Sequence, residues 1–476
     1  MRIASAFTAA AFLAAAAPAA TPFKGPQLPA QWEATTREIY KHSVETPTVA
    51  GRGNVEVLAN YLAAKLRASG WADSDLHVLP YVSDGGNKTA ALIARWPASR
   101  PTAKPILILG HLDVVEALAS DWGTDPFKLV EKDGYFYGRG SGDDKSGVVP
   151  ALVALMKLRA EGFRPARDVV LLFTGDEETA GRGAELGATE WRTWTEAEYA
   201  LNADGGGCTF NRELKPIGCV VQTAEKTFQS YTFTVRNRGG HSSRPRPDNA
   251  IYELAAALRK LEAHRFEPLL NETSRAYFAA RAEQEGESAL GQAMRAWVAN
   301  PADSAAADAI EASPLETGMT RTRCVATMLK AGHADNALPQ MAQATVNCRI
   351  MPGIEPRTIQ AELQALVGPK VEIATLEFIG APTPASPLRA DVLGAFTRSV
   401  KGRFPDQSVI PFMSPGATDG AFFRAHGMPV YGTNIMWGIS PDDDRAHGLD
   451  ERIPVQALWD NVVFWERMVR DLAGPK

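Results

Sequence analysis

Three hydrophobic rhythms divide the chain. Between residues 54 and 69 the apolar positions Val55, Leu58, Leu62 and Leu66 recur at helical spacing and Gly70 follows as a stop, which predicts an amphipathic helix. Two short runs without alternation, 105–109 (PILIL) and 168–173 (DVVLLF), predict strands buried on both faces, with a helix at 147–160 between them. Open sheets of such β-α-β units gather ligands beyond the carboxyl ends of their strands, so the residues after these two runs stand where a site belongs. The middle of the chain reads as strand 230–235, helix 249–261, strands 325–330 and 344–350, helix 356–366 and strand 371–378. This β-α-β-β-α-β order is that of ferredoxin-like units. It predicts an inserted domain over 225–382, interrupted by an Ala- and Glu-rich helical stretch at 265–320. Past the Pro-rich segment 381–387 the α/β signals return, and the chain closes on a helix at 455–472.

Composition narrows the choice of partners. A chain of 476 residues, 45% hydrophobic and 22% charged, can bury a sizeable core and divide into two or more domains. Its net charge of -5, from 55 acidic and 50 basic residues, leaves no basic field of the kind that nucleic acid or an anionic membrane requires. Residues 1–20 carry Arg2, an apolar Ala-rich run and Ala17-Pro18-Ala19, the layout of a secretory signal peptide. The run is shorter than the roughly 20 residues of a bilayer span. The expected mature chain therefore starts near Ala20 or Thr21, is periplasmic or secreted, and has no membrane anchor. In such an oxidising compartment four cysteines can pair as Cys208–Cys219 and Cys324–Cys348, each pair flanking a turn-like segment; buried free thiols are the alternative.

The chemistry lies in the polar segments that follow the apolar runs. Gly110-His111-Leu112-Asp113 puts an imidazole and a carboxylate two residues apart, on the same side of an extended segment, and a metal-bound histidine needs a carboxylate to orient it. The loop 138–147 (GRGSGDDKSG) is rich in glycine, but it lacks Walker spacing and its adjacent acids would repel a phosphate. A tight turn holding one carboxylate between two ions about 3.5–4 Å apart suits it better. Thr174-Gly175-Asp176-Glu177-Glu178 places adjacent glutamates at the end of a core strand, so that one can hold a metal while the other addresses a water. Asp204 in NADGGG and His447 in RAHGLDE complete the set. Oxygen and imidazole donors of this kind match zinc, manganese or cobalt in an open site.

Taken in order, GHLD, GRGSGDDKSG, GDEE, NADGG, GGHSS, CRIMPG and AHG resemble the co-catalytic dizinc metallopeptidase and amidohydrolase family. That family includes glutamate carboxypeptidase, aminoacylase, succinyl-diaminopimelate desuccinylase, carnosinase and carboxypeptidase S. The likeness spans essentially the whole mature chain and looks nearest to the carboxypeptidase S-like branch. It implies an α/β catalytic domain with a mixed sheet flanked by helices, built from 21–224 and 383–476, and a ferredoxin-like α+β lid at 225–382. It also implies that His111, Asp143 and Asp204 hold one zinc while Asp143, Glu178 and His447 hold the other, with a cis peptide between Asp143 and Asp144. Asp113 would orient His111, Glu177 would be the general base, and His241 would stabilise the oxyanion, in many relatives across a dimer formed through the lid. Arg349 and Asn336 would bind substrate, as would Gly416 and Thr418. The implied reaction is amide hydrolysis of small peptides by a carboxypeptidase or dipeptidase. N-acyl amino acid hydrolysis is the alternative, and a non-catalytic metal or peptide binder a remote one.

Overall fold

The computed structural model describes residue 25, residues 27–376 and residues 382–475. The signal peptide expected at 1–20 and the last residues of the strand expected at 371–378 lie outside the described residues.

A ten-stranded mixed sheet forms the centre of the molecule. Ile106–His111 pairs in parallel with both Val169–Thr174 and Tyr199–Asn202, and the helix Lys145–Ala160 connects the first two as expected. The unbroken apolar runs have a simple cause. Ile106, Ile108, Val169 and Leu171 face a cluster built with the helices Ala30–Glu45, Val55–Ala68, Lys145–Ala160, Ala390–Arg403 and Val455–Ala473. Their neighbours Leu107, Leu109, Val170 and Leu172 face a second cluster that includes Ala184, Ala188 and Phe423. Every position is thus buried, on one side of the sheet or the other. Fourteen of the sixteen residues of Lys145–Ala160 are buried, so this helix carries no polar face.

A separate four-stranded sheet is formed by Arg323–Ala331, Met341–Ile350, Thr227–Arg236 and Glu372–Thr375, in that order. Its strands are antiparallel, and the helices Ala250–Ala263 and Pro356–Val367 pack on it through Leu254, Leu261, Ile359 and Leu363. This is the split β-α-β-β-α-β arrangement read from the middle of the chain. The intervening stretch folds into the helices Glu272–Glu285, Ala289–Ala299 and Ser304–Glu311. They pack through Phe278, Met294 and Trp297 against Ala224, Ile410 and Met413, residues of the large sheet. The insertion therefore thickens the large sheet, whereas its place in the sequence had assigned it to the lid.

Both cysteine pairs are bridged. Cys208–Cys219 and Cys324–Cys348 each join residues directly opposite on neighbouring antiparallel strands. Among the described residues no helix is long and apolar enough to cross a membrane.

Candidate metal centre

The strand register delivers the first group of side chains to one place. His111 is the last residue of its strand and pairs with Thr174, the last of the neighbouring one, so the turns that follow both strands lie together. Two glycines make this approach possible. A Cβ on Gly110 would come within 2.8 Å of the Asp144 carboxylate, and one on Gly175 within 2.5 Å of the Ala90 carbonyl oxygen.

Asp113 joins the two turns. Its carboxylate accepts the backbone amides of Glu177 (3.2 Å) and Glu178 (3.1 Å). The Nδ1 of His111 lies 3.1 Å from the Asp113 carbonyl oxygen and 3.5 Å from its carboxylate, which fixes the ring and aims Nε2 outward. There Nε2 is 2.9 Å from one oxygen of Asp143 and 3.9 Å from Asp204. The other oxygen of Asp143 is 3.2 Å from Nε2 of His447, which is also 2.9 Å from the Glu178 carboxylate. One carboxylate is thus shared between two imidazoles, each of which has a second acid beside it. His111 is 1% exposed and His447 52%, so the cluster is closed below and open above.

The electrostatics are those of crowded, buried acids. Burial pushes Glu178 up to about 7 and raises Asp204, Asp144 and Glu177 well above the usual carboxylate range. At Asp143 burial acts the same way, but hydrogen bonds with His111 and His447 outweigh it and hold that carboxyl below its ordinary value. His447 is raised to about 9, first by its hydrogen bond with Asp143. Among the described residues no lysine or arginine forms an ion pair with Asp143, Glu178 or Asp204. His111, Asp143 and Glu178 bring ligand atoms within 4.8 Å of one another, as do His111, Asp144 and Asp204. Carboxylate oxygens and imidazole nitrogens at this spacing fit divalent ions of the zinc type.

Two further acids, outside the expected ligand set, stand beside these residues. Asp144 accepts the backbone amide of His111 (3.2 Å) and stands in the second convergent group, and the peptide bond joining it to Asp143 is cis. Asp419, 3% exposed, accepts the Thr174 hydroxyl, and burial pushes it up to about 8. Its position directly after Thr418 was the available signal.

The remaining candidates fall into two groups. Thr418 accepts from Asn202 (3.1 Å), whose side-chain oxygen accepts the Asp204 amide (3.2 Å), so this loop is tied to the strand that delivers Asp204. Gly416 lies two residues earlier, and Arg349 donates to the carbonyl of Pro415, the residue before Gly416 (3.3 Å), while stacking over Phe228 at 4.8 Å. His241 and Asn336 sit elsewhere. Gly240–His241 pairs with Ala337–Leu338, and Ser242 donates to the Asn336 carbonyl (3.0 Å), which makes these two residues exposed neighbours. His241 keeps its Nδ1 on the Ser243 hydroxyl (2.8 Å), and among the described residues no hydrogen bond joins it to the acid cluster.

The chain is similar to known proteins over most of its length. The family model described as peptidase family M20/M25/M40 matches residues 107–471. The human N-fatty-acyl-amino acid synthase/hydrolase PM20D1 is 30% identical over 386 residues, 78% of this chain and 75% of that protein. The probable carboxypeptidase S-like 2 of Dictyostelium discoideum is 29% identical over 393 residues, 80% of this chain and 74% of that protein. Among solved structures, the M20 family metallo-carboxypeptidase Sso-CP2 from Sulfolobus solfataricus superposes with a TM-score of 0.68 at 18% identity, covering 91% of this chain and 98% of its own. Human carnosine dipeptidase 1 superposes with a TM-score of 0.62 at 14% identity, covering 93% and 97%.

Proposed function

The chain belongs to peptidase family M20/M25/M40 and is a metal-dependent hydrolase, and on that premise we propose that it cleaves the amide bond of small peptides, as a carboxypeptidase or dipeptidase, at a two-zinc centre. In this reading His111, Asp143 and Asp204 hold one ion and Asp143, Glu178 and His447 the other, and cobalt or manganese suits the same donors. The observation that carries it is the division of the Asp143 carboxylate between two imidazoles, at 2.9 and 3.2 Å. Divalent ions bound there supply Lewis acidity for a carbonyl and lower the pKa of a water to near 7.

The side chains divide the remaining work. Glu177 takes the proton of the attacking water and returns it to the leaving amine; its amide is held by Asp113, and burial raises its carboxyl above the usual carboxylate range, the direction that favours holding the proton in transit. Arg349 has no carboxylate partner among the described residues and stands beside the Gly416–Thr418 loop, which fits it to a substrate carboxylate. His241 donates to the oxyanion and Asn336 positions substrate once the small sheet closes over the centre, or does so from a partner subunit. Support for a homodimer comes from Val325, Met328 and Leu329, all more than half exposed on the terminal strand of the small sheet. In this scheme the four-stranded sheet and its two helices are the lid within 225–382, while 21–224 and 383–476, with the helices between Glu272 and Glu311 packed on them, form the catalytic part. Export rests on the pattern of residues 1–20 and is supported by two disulfides, which persist in oxidising compartments.

A second reading, hydrolysis of N-acyl amino acids, is favoured by the similarity to the human N-fatty-acyl-amino acid synthase/hydrolase. Assays of the zinc-loaded protein on matched dipeptides and N-acyl amino acids separate the two. The first reading expects turnover that requires a free substrate amino group or a peptide P1 residue. Faster turnover of N-acyl amino acids replaces it with the second. Tight peptide binding without cleavage removes both in favour of a non-catalytic binder.

A further inference from the structure

We propose that Glu451 is a positioning residue that locks the shared carboxylate of Asp143 to the segment carrying His447. The residue is 1% exposed, and its carboxylate is bonded to the loop that ends at Asp143. Oε1 accepts the backbone amides of Gly142 (2.6 Å) and Asp143 (3.1 Å), while Oε2 accepts the amide of Gly140 (3.0 Å) and Nη1 of Arg139 (2.7 Å). Four donors from residues 139–143 thus converge on one carboxylate, and ionised acceptors of this kind make the stronger class of hydrogen bond.

The same segment supplies a ligand. Between His447 and Glu451 the backbone passes through left-handed conformations at His447 (φ 60°) and Asp450 (φ 50°). Arg139 reaches the Gly448 carbonyl (3.1 Å), and the Gly138 amide reaches the carbonyl of Glu451 itself (3.0 Å). Five residues of chain therefore carry both His447 and the clamp on Asp143, and the distance between these two ligands is set through Glu451. His111 and Asp204 have other anchors: His111 is held by Asp113 and its strand, Asp204 by Asn202. Loss of the clamp disturbs two of the three ligands of the His447 ion, but only the shared one of the His111 ion. Glutamine at 451 would keep one acceptor oxygen and turn an NH2 group toward two donors, leaving them unpaired.

The inference rests on the two-ion reading, and a zinc titration distinguishes their failures. Metal-free full-length protein and its Glu451→Gln variant are titrated calorimetrically with zinc, and each is melted to check folding. The unmodified chain binds two ions; in the variant one affinity stays within about threefold while the other falls roughly 10- to 100-fold, the range for removal of a group that orients a ligand. Turnover of the variant then recovers as zinc is raised, which a purely structural defect would not allow. Glu451→Asp, which keeps the charge but withdraws it by one methylene, shows the same selective loss and stands in if the glutamine variant does not fold. Two unchanged affinities, or equal weakening of both ions, overturn the role of Glu451. Fewer than two ions in the unmodified chain overturn the two-ion reading itself.

Discussion

At the carboxyl ends of the large sheet, each candidate ligand leans on a neighbour: His111 on Asp113, Asp204 on Asn202, and the amides of Glu177 and Glu178 on Asp113 again. In the region of the small sheet the candidate oxyanion donor His241 and its neighbour Asn336 are exposed, and among the described residues no hydrogen bond joins them to these groups. Arg349 and Thr418 lie between the two regions, on elements that meet at Pro415. The contrast separates two kinds of function. Bond-making chemistry needs groups fixed to a fraction of an ångström, and a buried sheet with paired strand ends provides that. Groups that must stand aside while substrate enters, the proposed oxyanion donor His241 among them, need a surface that can approach afterwards, and a second, separate sheet suits that.

Four interventions sharpen the contrast, in decreasing order of expected effect. Removing metal with a chelator abolishes turnover and zinc restores it, while the circular dichroism of both sheets survives; turnover that persists in metal-free protein breaks the assignment of the large-sheet site. His241→Ala lowers kcat roughly 10²- to 10³-fold, the range for loss of one oxyanion donor. It leaves zinc stoichiometry intact, and a loss of zinc would place His241 with the ligands. Arg349→Ala raises KM about tenfold with kcat little changed, the pattern of lost ground-state binding of a carboxylate. An amide substrate lacking that carboxylate shows no such difference between the two proteins. Replacing Cys324 and Cys348 with serine lowers stability by about 3 kcal/mol on chain-entropy grounds, read by denaturant unfolding, and does not alter zinc affinity. A change in affinity would show that the small sheet helps to hold the centre.

The sequence disclosed these two regions to different degrees. Residues 106–109 and 169–173 are apolar at every position because both faces of the strands are covered, so the strand ends, and with them His111 and Glu178, could be placed. The small sheet was equally legible in its order of elements. The helices between Glu272 and Glu311 were misplaced because their apolar faces have no sequence mark showing which sheet they cover. Nothing local to Asp144 reveals that its carboxylate turns back to the His111 amide. Asp419 and Glu451 escaped for the same reason: a buried acid that serves backbone amides or a hydroxyl looks like any loop acid until the fold brings its donors to it.

The central claim is that Glu177 moves the proton at a metal centre it does not help to hold. Measuring zinc content and turnover of Glu177→Ala beside the unmodified chain tests it directly. The expected result is two zinc ions per chain in both proteins and turnover reduced about 10³-fold, within the range for loss of a general base. Turnover within about tenfold of the unmodified chain, or zinc lost in step with activity, would contradict it.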